Sequence, residues 1–291
     1  MVRQVNRDSG VRARLRSWPG DPAIRHLVLL DSTTTPAPGD VARWVALAFD
    51  GGDGGAGGGG ASATGAPARA IRTGAVFPRA AEAFLEAGFR EVDRLTLLER
   101  DLVDIDDLRR RGRDRDRDRR GPGPGARRGV LRTVRLRSGD LATAAEIDRS
   151  SFAAGWSNDV DSLRDIASAT PQARLRLVTR PAGGSSGGAR AHGRPSHGTR
   201  SPRREALGFS ITGRAGTTAY LQRLAVRPSA RRAGAGRLLV DDALGWAVRR
   251  GATRALVNTG AGNDAALELY RSSGFRPLDE PLVVLELDRP R

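Results

Sequence analysis

From residue 129 onward the chain alternates between two hydrophobic periods. "VLRTVRL" (130–136) sets apolar groups at every second position, as a half-buried strand does, and "DLATAAEIDRSSF" (140–152) spaces them as a helix does. "RLRLVTR" (174–180), "ALGFSITGR" (206–214) and "TTAYLQRLAV" (217–226) read as strands, the last after a glycine-containing turn. Between 231 and 250, Leu239, Ala243, Trp246 and Ala247 recur at helical spacing. "TRALVNT" (253–259) is a strand, "NDAALELYRSSG" (263–274) a helix capped by Asn263 and stopped by Gly274, and "LVVLEL" (282–287) a final strand. This order predicts an α/β (α+β) fold: a mixed, mostly antiparallel sheet flanked by helices.

The first third of the chain repeats part of this pattern. "TGAVFPRAAEAFLEAGFREVD" (73–93) aligns without a gap on "TGAGNDAALELYRSSGFRPLD" (259–279), matching at Thr73, Gly74, Ala75, Ala80, Glu82, Gly88, Phe89, Arg90 and Asp93. Upstream, "IRHLVLLD" and "DVARWVALAF" supply a strand and a helix. Residues 1–108 therefore read as a partial, degenerate copy, and 129–291 as the complete domain.

Composition alters this picture in three places. Nine of the 37 glycines fall in "DGGDGGAGGGGASATGAPA" (50–68), a stretch with too few apolar groups to order itself. "RRRGRDRDRDRRGPGPGARR" (109–128) reads as a linker, and "PAGGSSGGARAHGRPSHGTRSPRR" (181–204) as a flexible insert between two strands. The linker and the 180–204 stretch also hold most of the net charge of +16, so the remaining chain is close to neutral. That distribution argues against nucleic acid as a partner, because no broad basic face is left in the folded parts. The absence of cysteine excludes a disulfide scaffold, a thiolate metal site and a cysteine nucleophile. His26, His192 and His197 are scattered, so no metal is expected. Without an apolar leader or a membrane-length apolar run, the expected setting is the cytoplasm, with no membrane partner.

The candidate chemistry lies in "RRAGAGRLLV" (231–240), where arginines and a Gly-x-Gly run into an apolar helix. A first helical turn leaves N–H groups unpaired, and missing Cβ atoms at Gly234 and Gly236 let an anion approach them. Flanking guanidinium groups suit a pyrophosphate. The third glycine of a dinucleotide loop is missing, and a phosphate loop of the Gly-Lys-Ser/Thr kind is excluded because no lysine occurs in the chain.

These residues resemble the GNAT superfamily of N-acetyltransferases. Arg231, Gly234 and Gly236, after the strand "YLQRLAV", match its strand–Gln/Arg-x-x-Gly-x-Gly/Ala–helix motif. Asn263, Leu269, Tyr270, Gly274 and Phe275 match its second motif, and the resemblance covers 129–291. It implies acetyl-coenzyme A as co-substrate, with the backbone of Arg232, Gly234, Ala235, Gly236 and Arg237 and the side chain of Arg231 around the pyrophosphate. It also implies that Leu224, Ala225 and Val226 pair with the pantetheine amides and that Asn263 hydrogen-bonds the same arm. Tyr270 would protonate the departing thiolate. Direct attack by a primary amine, on a small molecule or a protein N-terminus, needs no covalent intermediate. Phe152 and Trp156, in the segment where the superfamily places its acceptor loop, together with Tyr220 and Gln222, are candidates to line the acceptor site.

The general base is not assigned by this comparison. Asn258 stands where related enzymes carry a glutamate, leaving Asp148, Asp159 and Glu286 as candidates. The first copy has Phe77 where the second has Asn263, and it lacks the glycine loop, so it is expected to bind no coenzyme. It resembles the degenerate half of tandem GNAT proteins. A catalytically silent acetyl-coenzyme A sensor or scaffold is the alternative reading.

Overall fold

The computed structural model describes residues 3–5, 11, 13–18, 21–29, 35–50, 68–103, 131–153, 155–181 and 204–290. Apart from their end residues Asp50, Ala68, Pro181 and Arg204, the glycine-rich stretch, the linker and the insert lie outside the described residues. Among the described residues no helix is long and apolar enough to cross a membrane. Contacts divide the chain into two compact units, one of Met1–Arg100, Ala153–Asn158 and Leu256–Arg291, the other of Asp101–Phe152 and Asp159–Ala255.

The first unit contains β1 (Arg3–Val5), β2 (Ala13–Trp18), β3 (Asp21–Leu29), α1 (Pro38–Asp50), β4 (Ala70–Thr73), α2 (Pro78–Glu86) and β5 (Arg90–Asp101, its last residue in the other unit). The second contains β6 (Arg132–Arg135), α3 (Leu141–Ser151), α4 (Val160–Ser168), β7 (Gln172–Pro181), β8 (Arg204–Ala215), β9 (Thr218–Val226) and α5 (Ala235–Arg249). After these, β10 (Arg254–Gly260) begins in the second unit and ends in the first. There, α6 (Asp264–Ser272), β11 (Arg276–Pro277) and β12 (Leu282–Asp288) complete the chain.

In the second unit the strands run β9-β8-β7-β6, every neighbour antiparallel. One face carries α3 and α4 over a core that includes Ile147, Leu163, Leu177, Phe209 and Ile211; another cluster joins Leu239 of α5 to Val178 and Leu207. Helix α4 adds to the elements that the patterning predicts, and Asp159 caps it by accepting from the Ser162 N–H at 2.8 Å. The helix read over 231–250 begins only at Ala235, because Gly234 takes φ +83° and turns the chain there.

The first unit orders its strands β1-β2-β3-β4-β12-β5-β10, with β11 also on β5. Strand β3 pairs with β4 in parallel, from Ile24↔Ala70 to Leu27↔Thr73. The repeat makes the remaining order informative: β4, α2 and the start of β5 correspond to β10, α6 and β11. The final strand β12 does not lie between β10 and β11. It enters the first copy instead, pairing with β4 at Glu286↔Arg72 and with β5 from Leu282↔Leu95 to Glu286↔Arg90. The far half of β5 takes the vacated place, pairing with β11 at Arg276↔Glu99 and neighbouring β10.

The two copies thus exchange their last strands. Val283 and Leu285 of β12 are buried among Trp44, Phe84 and Phe89 of the first copy. This is why contacts group residues 256–291 with the N-terminal elements, whereas the sequence division falls at the linker. The fold is the mixed, mostly antiparallel sheet flanked by helices that the patterning predicts.

Candidate functional site

The glycine loop leaves the end of β9 in the second unit. Arg227 N–H bonds the Leu207 carbonyl at 2.8 Å, a short 3-10 turn covers Pro228–Ala230, and Arg231 returns to extended backbone. Arg232 then adopts φ +60° and Gly234 φ +83°, both left-handed, so the chain reverses sharply into α5. Gly234 is the N-cap of α5; no side chain caps the helix, and its first turn carries no acidic residue. A Cβ placed on Gly234 meets nothing within 4 Å, so space is open on that side of the N–H groups. A helix start without a side-chain cap presents the positive end of the helix dipole, here with an open approach beside Gly234.

The arginines of the loop are placed differently from one another. Arg231 donates through Nη2 to the Ser151 carbonyl at 3.3 Å, anchoring the loop to the end of α3. Arg232 is exposed, and Arg237 turns along the helix to both Asp241 oxygens at 3.1 Å. Ala235 is buried and Gly236 half-buried. On β9, Leu224, Ala225 and Val226 pair with Ser210, Phe209 and Gly208 of β8, and the Val226 carbonyl accepts from the Ser151 hydroxyl at 3.1 Å.

Two residues upstream the β8–β9 register shifts: Leu221 lies opposite Thr212 and Arg223 opposite Ile211, leaving Gln222 as the extra residue of a bulge. Its Oε1 is buried, has no hydrogen-bond partner among the described residues, and lies 2.7 Å from where a Cβ on Gly213 would stand. Half-buried Tyr220 faces Gly213. Phe152 lies under the Arg223 guanidinium, 3.5 Å from its ring centroid. Trp156, by contrast, belongs to the first unit, packed on Trp18 with Ile24 and Ala70.

In the first unit Asn263 is exposed and caps α6 by accepting from the Ala266 N–H at 3.2 Å. Tyr270 is buried, its ring centroid 5.9 Å from that of Phe275. Asn258 is exposed on β10.

The three carboxylates considered as bases are each engaged elsewhere. Asp148 is fully buried and held by Arg223 through two 2.7 Å bonds. Asp159 is the α4 cap. Glu286 is buried between Arg72, whose Nε lies at 2.7 Å, and Arg90 at 2.9 Å. Structural ion pairing and capping account for all three, and the sequence alone could not distinguish these uses from catalysis. Among the described residues no group of three or more acidic or histidine side chains could hold a metal ion.

Comparison with known proteins gives a family likeness over part of the chain and a shared fold over nearly all of it. The profile described as "Acetyltransferase (GNAT) family" matches residues 198–275, the segment that runs from β8 through the glycine loop to α6. A GCN5-related N-acetyltransferase from Kribbella flavida shares the fold at TM-score 0.56 and 16% identity, over 100% of this chain and 90% of that one. A tandem GNAT protein from the clavulanic acid biosynthesis pathway aligns at TM-score 0.55 and 13% identity, over 98% and 82%. A GCN5-related N-acetyltransferase from Sphaerobacter thermophilus aligns at 0.51 and 12%, over 96% and 77%. No curated protein matches the sequence. Residues 198–275 thus resemble the GNAT acetyltransferase family, and the fold is the one these GCN5-related structures share.

Proposed function

We propose that the protein is a cytoplasmic N-acetyltransferase that moves the acetyl group of acetyl-coenzyme A to a primary amine by direct attack. The observation that carries the proposal is the uncapped start of α5 at Gly234, open to solvent and flanked by Arg231 and Arg232. A pyrophosphate is the anion this geometry suits, with the backbone from Arg232 to Arg237 as donors.

In this reading the amine lone pair attacks the thioester carbonyl, the carbon–sulfur bond breaks, and the sulfur leaves as thiolate. Tyr270 supplies the proton to that thiolate, whose parent thiol has a pKa of about 8.5. The amine proton passes to water, since Asn258 cannot accept it. Leu224–Val226 and Asn263 hold the pantetheine arm, while Phe152, Trp156, Tyr220 and Gln222 face the acceptor. Residues 129–291 carry the transfer, and the copy in 1–108 binds no coenzyme.

Calorimetric titration of acetyl-coenzyme A tests this reading, followed by mass spectrometry of products from a panel of peptide and small-molecule amines. One saturable site is expected in the wild type. Gly234→Glu puts a carboxylate against the pyrophosphate and is expected to abolish measurable binding; retained affinity in that variant rejects the assignment. Binding without product on any amine supports the silent sensor instead.

A further inference from the structure

The ungapped repeat sets Arg72 at the position of Asn258, Phe77 at that of Asn263 and Phe84 at that of Tyr270. Each has a different job in the first copy. Phe77 precedes α2 without a side-chain cap bond. Phe84 is fully buried, stacked with Trp44 at 6.2 Å and edge-on to Phe89 at 5.2 Å. Arg72 binds Glu286 of the exchanged strand, and its guanidinium lies 4.7 Å from the ring centroid of Trp18 and 5.9 Å from that of Trp156.

Trp156 reaches this place on Gly155–Asn158, which lies between α3 and α4 in sequence yet is grouped with the first unit. The indole N–H of Trp18 donates to the Gly155 carbonyl, and the two tryptophan rings meet edge-on at 5.4 Å. Gly155 takes φ +84°, a conformation that favours glycine, and a Cβ there would stand 3.7 Å from the Trp18 indole nitrogen. His26 closes the far side, edge-on to Trp18 at 4.6 Å and accepting at Nδ1 from Arg16 Nε at 3.1 Å. Burial, with the charges of Arg16 and Arg72 beside it, pushes the His26 imidazole down to about 3. It therefore stays neutral and does not repel Arg72.

We propose that the first copy works as a clamp on the Gly155–Asn158 segment, with Trp18 as the positioning residue and Arg72 bracing it from Glu286. A hydrogen bond, an edge-on ring pair and a cation–π contact converge on a segment with no regular structure of its own. The proposal rests on the function above in one respect: Trp156 is there an acceptor-lining residue. The clamp then governs acceptor discrimination and leaves coenzyme affinity alone.

Trp18→Phe removes the indole donor and keeps a ring; Arg72→Met removes the guanidinium and keeps the stem. Amide exchange is read over 155–158 in the full chain, alongside acetyl-coenzyme A affinity and steady-state kinetics on whichever amine of the panel reacts best. In both variants exchange over the segment is expected to rise about tenfold, since one anchoring contact of ordinary strength is lost. Coenzyme affinity is expected to stay within about twofold while the amine KM rises more than kcat falls. Unchanged exchange in both variants overturns the clamp. A freed segment with unchanged amine KM overturns its role in acceptor choice. A wild type that binds no acetyl-coenzyme A defeats the proposed function instead, and the exchange measurement then decides the clamp by itself.

Discussion

Arg223 lies on Asp148 in a two-pronged pair, Nε to Oδ2 and Nη2 to Oδ1 both at 2.7 Å, with Asp148 wholly inaccessible to water. The same guanidinium covers the Phe152 ring at 3.5 Å, so one side chain joins β9, α3 and the residue that ends α3. Asp148 is therefore a structural counter-ion. Asp148→Asn leaves the arginine facing a neutral amide in a buried place and is expected to cost roughly 3 kcal/mol of stability by urea unfolding. A loss below about 1 kcal/mol contradicts the assignment.

Asp242 of α5 ties the helix to two strands. It accepts from Arg174 at 2.6 and 3.1 Å, from Arg176 at 3.2 Å and from the Thr133 hydroxyl at 3.1 Å. Burial alone raises its carboxyl, but the hydrogen bond and charge of Arg174, the charge of Arg176 and the Thr133 hydroxyl outweigh it and hold the pKa below the usual carboxylate range. A pKa lowered by folding stabilises fully above the unfolded value of about 3.9 and loses that stabilisation as pH falls through the folded value. Asp242→Asn is thus expected to lower stability near neutral pH and to flatten its decline in acid. Unfolding titrations of wild type and variant across that range decide it; parallel curves refute it.

The exchanged strand predicts an effect far along the chain from its cause. Leu285 of β12 is fully buried in the core formed by Trp44, Phe84 and Phe89. Leu285→Ala is expected to cost about 3 kcal/mol. Hydrogen exchange should report the weakening in α1 and α2, some 200 residues upstream in sequence. Weakening confined to the elements of the second unit contradicts the placement of β12 in the first copy.

How much of this was written locally in the chain depends on the range of the interaction. The Asn263 cap, the Gly274 stop at φ +86° and the glycine loop are set by neighbours within a few residues, and the sequence shows them. Helix α4 is equally local, with Val160, Leu163, Ile166 and Ala167 at helical spacing behind the Asp159 cap. The β2–β3 hairpin carried a Pro19-Gly20 turn signal between its strands and could have been read from that. The strand exchange could not: alternation marks "LVVLEL" as a strand and is silent on which neighbours it pairs with. The use of Asp148 and Glu286 as counter-ions was hidden for the same reason, since their arginines lie 75 and at least 196 positions away.

Close approach of β8 and β9 makes a further expectation at Gly208. A Cβ there would stand 2.6 Å from the Ala225 carbonyl oxygen, a backbone atom that cannot rotate aside, and 3.1 and 3.2 Å from Val226 and Val178. Gly208→Ala is expected to push β9 away just ahead of the glycine loop, costing about 2 kcal/mol or more by overpacking. On the proposed function it also weakens acetyl-coenzyme A binding. A variant as stable as wild type shows that the two strands can separate freely at that point.

Arg232 separates the demands of folding from those of ligand binding. Its φ of +60° is left-handed, a conformation that costs a non-glycine residue about 1–2 kcal/mol. Glycine relieves that strain and adds back about 0.5–1 kcal/mol of backbone entropy, so Arg232→Gly is expected to leave stability unchanged or raise it slightly. The guanidinium it removes is exposed and stands beside the uncapped start of α5. Acetyl-coenzyme A affinity is therefore expected to fall several-fold in low salt, with the difference from wild type shrinking as salt rises. Lower stability together with unchanged affinity would mean that the arginine serves the loop and not the ligand, and would remove one of the two flanking charges from the proposed pyrophosphate site.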